Sequence, residues 1–338
     1  MKIANFDVSR RVLIIAEIGN NHEGDFALAL NMIDRAVEAG ADAVKFQMIR
    51  PEQLVRRSDG ERLARLRSFA FSQEQFACLA QHTLSRGAIF LCTPFDIGAV
   101  EFLAPLVPAI KIASGDNTHL PLLAAAARTG KPLLISTGTA SHDEVWLAVS
   151  HVREIWNGRG EASPGLALLH CVSSYPTPPE QAGLATIRRL AALPDVVAGY
   201  SDHTLGIEAA VLAVAAGARI IEKHVTLDKS QSDFRDHQLS ADPAEMAEMV
   251  RRIRACEAML GAEDQELQAC EEANIAALRR SVAVAADLPS GSILSLESLS
   301  WVRPAGGIAP GSEHLVIGKR LRRAYTAGEQ IDPADLIS

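Results

Sequence analysis

Lys45 and Lys111 each lie within a short apolar run, and hydroxyl residues recur at the ends of neighbouring runs: Thr93, Ser114, Ser136, Ser173 and Ser201. Two ammonium groups with several hydroxyl donors suit a small anion such as phosphate, whose oxygens need many donors and offsetting charge in a dry cleft. The alternative is that the lysines form ion pairs with Glu17, Glu222 or Asp116 inside the fold. His203 and His224 end two consecutive runs and are spaced to share one metal ion with open coordination positions, with Asp202, Asp236 and Glu222 beside them. Two imidazoles do not define the metal, and each also reads as a hydrogen-bonded core residue. His22, in GNNHEG, reads as a residue that shapes its loop rather than as a third ligand. Cys92 and Cys171 have no general base adjacent in sequence and read as packing.

The runs that carry these residues are VLIIAEIG (12–19), AVKFQ (43–47), AIFLCTPF (88–95), AIKIASGD (109–116), PLLISTG (132–138), LALLHCVSSYP (166–176), VVAGYSDHT (196–204) and ARIIEKHVT (218–226). They are almost continuously apolar, as strands buried on both faces of a parallel sheet are. Helical patterns separate them. Ser72 with Gln75 and Ser141 with Glu144 fit capping boxes, and Asp242, Pro243 and Glu245 supply another helix start. Gly40, Gly87, Gly130 and Gly217 close helices just before strands, and EAGADAVKFQ is echoed by AAGARIIEKH. Repeated β/α units of this kind predict an α/β fold, a (β/α)₈ TIM barrel, over 1–260. An open doubly wound sheet is the alternative, but no GxGxxG follows the first strand. In such a barrel the polar strand ends share one face.

A polar, Glu-rich linker is expected over 261–279, and a small β-rich domain over 280–338. In that tail DLPSGSILSLESL aligns with AYTAGEQIDPADL, matching Gly291 to Gly328, Leu294 to Ile331 and Leu299 to Leu336. The 338 residues carry a formal charge of −8 and are 48% hydrophobic. Basic and acidic residues balance from 280 onward, so the negative charge belongs to the barrel. An acidic chain argues against nucleic acid or an anionic membrane as partner. No apolar stretch approaches the ~18 uncharged residues of a spanning helix. The five cysteines form no CxxC pair and suggest a reduced, cytoplasmic setting.

The segments IAEIGNNHEGD, GADAVKFQ, CTPFD, KIASGD, LISTG, LHCVSSYPTP, GYSDHTLG and IEKHVTLD resemble, in order and spacing, the sialic acid synthase family. The tail, with VRPAGGIAPG and IGKRL, is similar to that family's antifreeze-like (SAF) domain. The resemblance implies condensation of phosphoenolpyruvate with the open-chain aldehyde of an N-acylated hexosamine, giving a nine-carbon 2-keto-3-deoxy acid and phosphate. It implies a divalent ion, Mn²⁺ with Mg²⁺ or Co²⁺ as alternatives, on His203 and His224. It assigns phosphoenolpyruvate to Lys45, Thr93, Lys111, Ser114, Ser136, Ser173 and Ser201, and the sugar to Glu17, Gln47, Tyr175 and Asp236. Asp116, where a Glu is more usual, is a further substrate contact. Glu17 and Asp236 join the histidines as the catalytic set. Arg303, in the tail, is expected to reach the sugar's acyl end across a domain-swapped homodimer. The sequence departs from the family in SQSDFRDHQLS, which lacks the usual glycine-proline lead-in. Two rivals stand beside this reading: another phosphoenolpyruvate-dependent aldose synthase making a shorter acid, and a non-catalytic carbohydrate-binding protein.

Overall fold

The protein is described by a computed structural model over residues 1–160, 162–261 and 267–337. These divide into two compact units, Met1–Leu260 and Gly261–Ser338. The first is built on eight parallel strands: β1 (Leu13–Gly19), β2 (Ala43–Met48), β3 (Ile89–Pro94), β4 (Ile110–Ile112), β5 (Leu133–Ser136), β6 (Leu166–Cys171), β7 (Val196–Asp202) and β8 (Ile220–His224). The ladder runs β3-β2-β1-β8-β7-β6-β5-β4. Its two ends, β3 and β4, lie side by side, which closes the cylinder.

Helices wrap the outside, among them α1 (Phe26–Glu38), α2 (Gln73–Ser85), α3 (Ile97–Leu103), α4 (Leu120–Arg128), α5 (His142–Gly158), α6 (Thr186–Ala191), α7 (Glu208–Ala215) and α8 (Pro243–Leu260). Their starts follow local chemistry. Ser72 and Ser141 form reciprocal capping boxes with Gln75 and Glu144, and Asp242 accepts the Glu245 N–H at 2.8 Å. Gly40 follows α1 at φ +93°, and a Cβ there would stand 3.1 Å from Val250 of α8, so both its left-handed backbone and its missing side chain are used.

Alternation along each strand sorts the core into two layers. Residues facing outward, such as Ile14, Phe46, Phe90, Ile135, Leu168 and Ile221, pack under the helices. Cys92 belongs to this layer. Residues facing inward are apolar at the strand starts, where Leu13, Ile15, Ala43, Leu91, Leu134, Leu169 and Ile220 cluster. Ile3 and Val8, from the hairpin Lys2–Ile3/Phe6–Asp7 and the turn after it, plug that end.

The fourth expected run is shorter than read: it is a strand only over Ile110–Ile112, then turns into a 3₁₀ helix, Ser114–Asp116. The sixth ends at Cys171, so Ser173 and Tyr175 sit on the following loop. Two helices without a barrel counterpart, Pro51–Leu54 and Gly60–Phe69, are inserted between β2 and α2.

The second unit pairs Ser281–Val284 with Leu299–Val302 and Arg320–Leu321 with Leu336–Ile337, both antiparallel. Its core gathers Val282, Val284, Leu294, Leu299, Val316, Leu321, Tyr325 and Ile331. Gly291 and Gly328 have φ +85° and +81°, and Leu294 and Ile331 are both buried, so the internal repeat is structural. Of the stretch expected to be a linker, 269–274 form a 3₁₀ helix and Ile275–Leu278 an α-helical turn, while 262–266 lie outside the described residues.

Candidate active site

At the C-terminal end of the barrel the inward positions change from apolar to charged. A cavity of about 740 Å³ opens there. Its wall brings together Glu17, Lys45, Gln47, Thr93, Lys111 and Ser114, and with them Ser136, Ser173, Tyr175, Ser201, His203, His224 and Asp236. Asp116 is not among the lining residues; the 3₁₀ turn after β4 carries it towards His119, 4.0 Å away. Arg303 is exposed in the second unit.

Strand register explains the convergence. Glu17 pairs with Lys45 across β1 and β2 and with His224 across β8, while Glu222 pairs with Ser201. Lys45 Nζ lies 2.7 Å from Glu17, 3.7 Å from Glu222, and donates to Thr93 Oγ1 at 3.1 Å. Lys111 Nζ donates to Ser136 Oγ at 2.6 Å and to the Ile112 carbonyl at 3.0 Å, and stands 3.9 Å from Glu222. The ion-pair alternative for the lysines therefore describes this structure, with Glu17 and Glu222 as partners and Asp116 excluded. Both lysines nevertheless face the cavity, so an entering anion meets them directly.

The two carboxylates are set apart by their surroundings. Burial and the charge of Glu222 push Glu17 up from the usual carboxylate range despite Lys45. Burial would raise Glu222 too, but Lys111, Lys45 and the Ser201 hydroxyl, which donates at 2.9 Å, hold it down at about 2. The surroundings thus push the two carboxyls in opposite directions, a separation that acid–base chemistry can use. Gln47 Nε2 donates to Glu17 Oε1 at 2.7 Å and Asn20 donates to Gln47 at 3.2 Å, which fixes Glu17 from above.

His203 and His224 stand with ring centroids 5.5 Å apart. His203 Nδ1 donates to the Val172 carbonyl at 2.8 Å, so its Nε2 keeps its lone pair. His224 is buried, its Nδ1 has no hydrogen-bond partner, and burial depresses its pKa to about 3, keeping it neutral. Two imidazoles, each with a ring nitrogen left without a protein partner, fit a divalent ion. Among the described residues no group of three or more His, Cys, Asp or Glu is arranged to hold a metal ion, so the candidate donors are these two imidazoles.

Glu222, one of the partners that the sequence offers the lysines, bridges the two. The fold also adds contacts that spacing along the chain does not mark. Cys171, read from sequence as lacking a base, has its Sγ 3.6 Å from His203 Nδ1, a contact between residues 32 apart. Arg235 stacks over Tyr175 at 4.5 Å, and Tyr175 in turn lies 4.1 Å from the His203 ring. Phe69 from the inserted helix meets Phe234 edge-on at 5.4 Å, so two insertions form the outer wall, with Arg62 and Arg65 along it. Gly138 is demanded by the site: a Cβ there would fall 2.5 Å from Ser173 Oγ and 2.7 Å from Ser114 Oγ. Its place in LISTG, directly after a strand, was the available signal. His22 does not line the cavity; it stacks on Phe71 at 4.1 Å and its Nδ1 accepts the Gly24 N–H.

The sequence pattern of the NeuB family matches residues 32–265, and that of the SAF domain matches 279–337. The chain belongs to the NeuB family. It is similar to the N,N'-diacetyllegionaminic acid synthase of Legionella pneumophila, with 37% identity covering 95% of this chain and 93% of that protein. It is 36% identical to the human N-acetylneuraminate-9-phosphate synthase, over 91% of this chain and 88% of that one. Among solved structures, the N-acetylneuraminic acid (sialic acid) synthetase of Leptospira borgpetersenii in complex with citrate superposes with a TM-score of 0.73 at 39% identity, covering 78% of this chain and 90% of that one. This NeuB-family chain is thus an enzyme of the sialic acid synthase type.

Proposed function

We propose that the enzyme condenses phosphoenolpyruvate with the open-chain aldehyde of an N-acylated hexosamine, N-acetylmannosamine or a modified relative, to give a nine-carbon 2-keto-3-deoxy sugar acid and inorganic phosphate. The observation that carries the reading is the pairing of two buried lysines with Thr93 and Ser136 hydroxyls, beside two imidazoles, in one cavity. The names of the relatives, synthases of such nine-carbon acids, support the product class.

Carbon 3 of the enol attacks the aldehyde carbon, forming the new carbon–carbon bond, and the aldehyde oxygen takes a proton to become a hydroxyl. Water adds at carbon 2, and carbon–oxygen cleavage releases phosphate and leaves the ketone. Lys45 and Lys111 offset the charge of phosphate and carboxylate, and Ser114, Ser136, Ser173, Ser201 and Thr93 offer hydroxyl donors. Glu17, raised by burial and oriented by Gln47, is placed to exchange a proton with the sugar oxygen or the attacking water. Tyr175, Gln47 and Asp236 face the acceptor side. His203 and His224 would hold a divalent ion, Mn²⁺ in this reading, which supplies Lewis-acid polarisation of the aldehyde.

The proposal extends to a cytoplasmic, domain-swapped homodimer in which Arg303 of a partner copy contacts the sugar's acyl group. Its support is the family resemblance, the exposure of Arg303 and the five free cysteines. No helix among the described residues is long and apolar enough to cross a membrane. The test of the reaction is phosphate release from phosphoenolpyruvate across a panel of N-acetylmannosamine, di-N-acetylated 6-deoxyhexoses and phosphorylated pentoses, with mass detection of the acid. Release that requires an amino sugar is expected. Release with the pentose phosphate alone, or with none, sinks the proposal.

A further inference from the structure

Ser201 of β7, His203 just past its end, and Glu222 and His224 of β8 face the cavity, while the outward faces of the two strands carry a charged pair the reaction does not use. The strands run parallel with Asp202 opposite Lys223. Lys223 Nζ donates to Asp202 Oδ2 at 3.0 Å and to the Thr204 carbonyl at 2.6 Å, and both side chains are 0% exposed. Asp202 Oδ1 accepts the Thr204 N–H and the Thr204 hydroxyl, each at 2.8 Å, and the Tyr200 hydroxyl at 3.2 Å. His203 sits inside this set of bonds. Its own carbonyl accepts the Thr177 N–H at 2.8 Å and its Nδ1 is fixed on Val172.

The neighbours of the pair on the outward face, Ala198, Tyr200 and Ile221, belong to the apolar layer under the helices. An ion pair in such a place contributes little net stability, since desolvation cancels most of the attraction and apolar replacements are often neutral or better. What it specifies is register. Side chains alternate with a period of two, so a one-residue slip of β7 against β8 would turn His203 out of the barrel and Asp202 into it.

We propose that Lys223 and Asp202 are positioning residues: their bond across the outside of the barrel fixes where His203 and His224 meet inside it. The inference rests on reading those histidines as metal ligands. It predicts that the outer pair controls metal affinity without touching the anion site, as partners that orient ligating residues do.

The double variant Asp202→Asn/Lys223→Met removes both charges while the Asn carbonyl oxygen can still accept from Thr204. Calorimetric titration with Mn²⁺ is expected to show binding about 10–100-fold weaker than in the parent. Phosphoenolpyruvate binding measured without metal stays unchanged, and saturating Mn²⁺ restores most of the parent kcat. Mn²⁺ affinity equal to the parent's, or a lowered melting temperature as the sole effect, overturns the proposal. Should the double variant not fold, Thr204→Val, which keeps the ion pair and loses one hydroxyl bond, decides: several-fold weaker Mn²⁺ binding supports the inference and unchanged binding ends it. A parent that binds Mn²⁺ but releases no phosphate with any sugar sinks the proposed reaction and leaves this inference standing. A parent that binds no Mn²⁺ sinks the inference itself.

Discussion

The two ends of the barrel interior are made by the same strands and obey opposite rules. Along β8 the inward residues are Ile220, Glu222 and His224; along β1 they are Leu13, Ile15 and Glu17. At the start of each strand the inward position is apolar and joins a closed cluster plugged by Ile3 and Val8. Two to four residues later it is charged and opens on a cavity. The closed end gains from every side chain removed from water. The open end holds Lys45, Lys111, Glu17 and Glu222 nearly out of water, a costly arrangement that is tolerable because the four compensate one another. Chemistry and stability are thus separated along a few ångströms of each strand.

That separation is best broken at His224. His224→Ala is expected to lower turnover by about 10³-fold, the loss of several kcal/mol of charge stabilisation. Its melting temperature should hold, because the buried Nδ1 has no partner to orphan. A variant that keeps its rate after chelation would remove the imidazole pair from the reaction. Lys111→Met comes next. It removes the donor to Ser136 and the cation 3.9 Å from Glu222. A fall in kcat/KM for phosphoenolpyruvate of about 10²–10³-fold is predicted. Unchanged phosphoenolpyruvate kinetics would show that this lysine serves only as a counter-ion.

The barrel and the convergence of its polar strand ends were legible in the sequence because both follow from one period. A strand buried on both faces reads as a continuous apolar run, and wherever the run turns polar at its end, an inward position lies nearby. Spacing cannot rank partners that lie equally close, so it leaves Lys45 to an anion or to Glu17 alike, and only the structure shows it 2.7 Å from Glu17 while still facing the cavity. Asp116 was misplaced because the chain leaves the strand after Ile112, where the Ser114 hydroxyl accepts the Gly138 N–H at 3.1 Å. Cys171 and His203 come from different strands, and Phe69 with Phe234 from insertions without periodicity, so nothing local marked them.

The closed end offers the converse test. Leu169 is fully buried among the inward apolar residues. Leu169→Ala should cost about 2–5 kcal/mol of stability, read as a lowered denaturation midpoint, with kcat per folded molecule unchanged. A loss of kcat in the folded fraction would mean the two ends are coupled after all. At the open end Gly138→Ala should leave stability nearly intact yet displace the Ser114 and Ser173 hydroxyls, raising KM for phosphoenolpyruvate by about tenfold, one lost hydrogen bond's worth. An unchanged KM would take those serines out of the anion site.

The smallest effect concerns pH, and it sharpens the comparison by using a histidine beside the cavity but not in it. Burial against Phe71 depresses His22 to about 4, and its Nδ1 must stay unprotonated to accept the Gly24 N–H at 3.0 Å. The unfolded chain takes up that proton near the ordinary histidine value of 6.5. Between pH 6.5 and about 4 the unfolded state therefore binds more protons, and folding stability falls as the pH falls through that window. His224, depressed to about 3, acts in the same direction over a slightly wider range in metal-free protein. Denaturant melts of the chelated enzyme at pH 7, 5.5 and 4.5 should show this loss, and His22→Phe should show a shallower one, whatever its absolute stability. An equal slope in the variant would assign the acid sensitivity to other groups, among them His224 and His170, which burial also depresses, and the first loop would then owe its shape to packing rather than to a neutral imidazole.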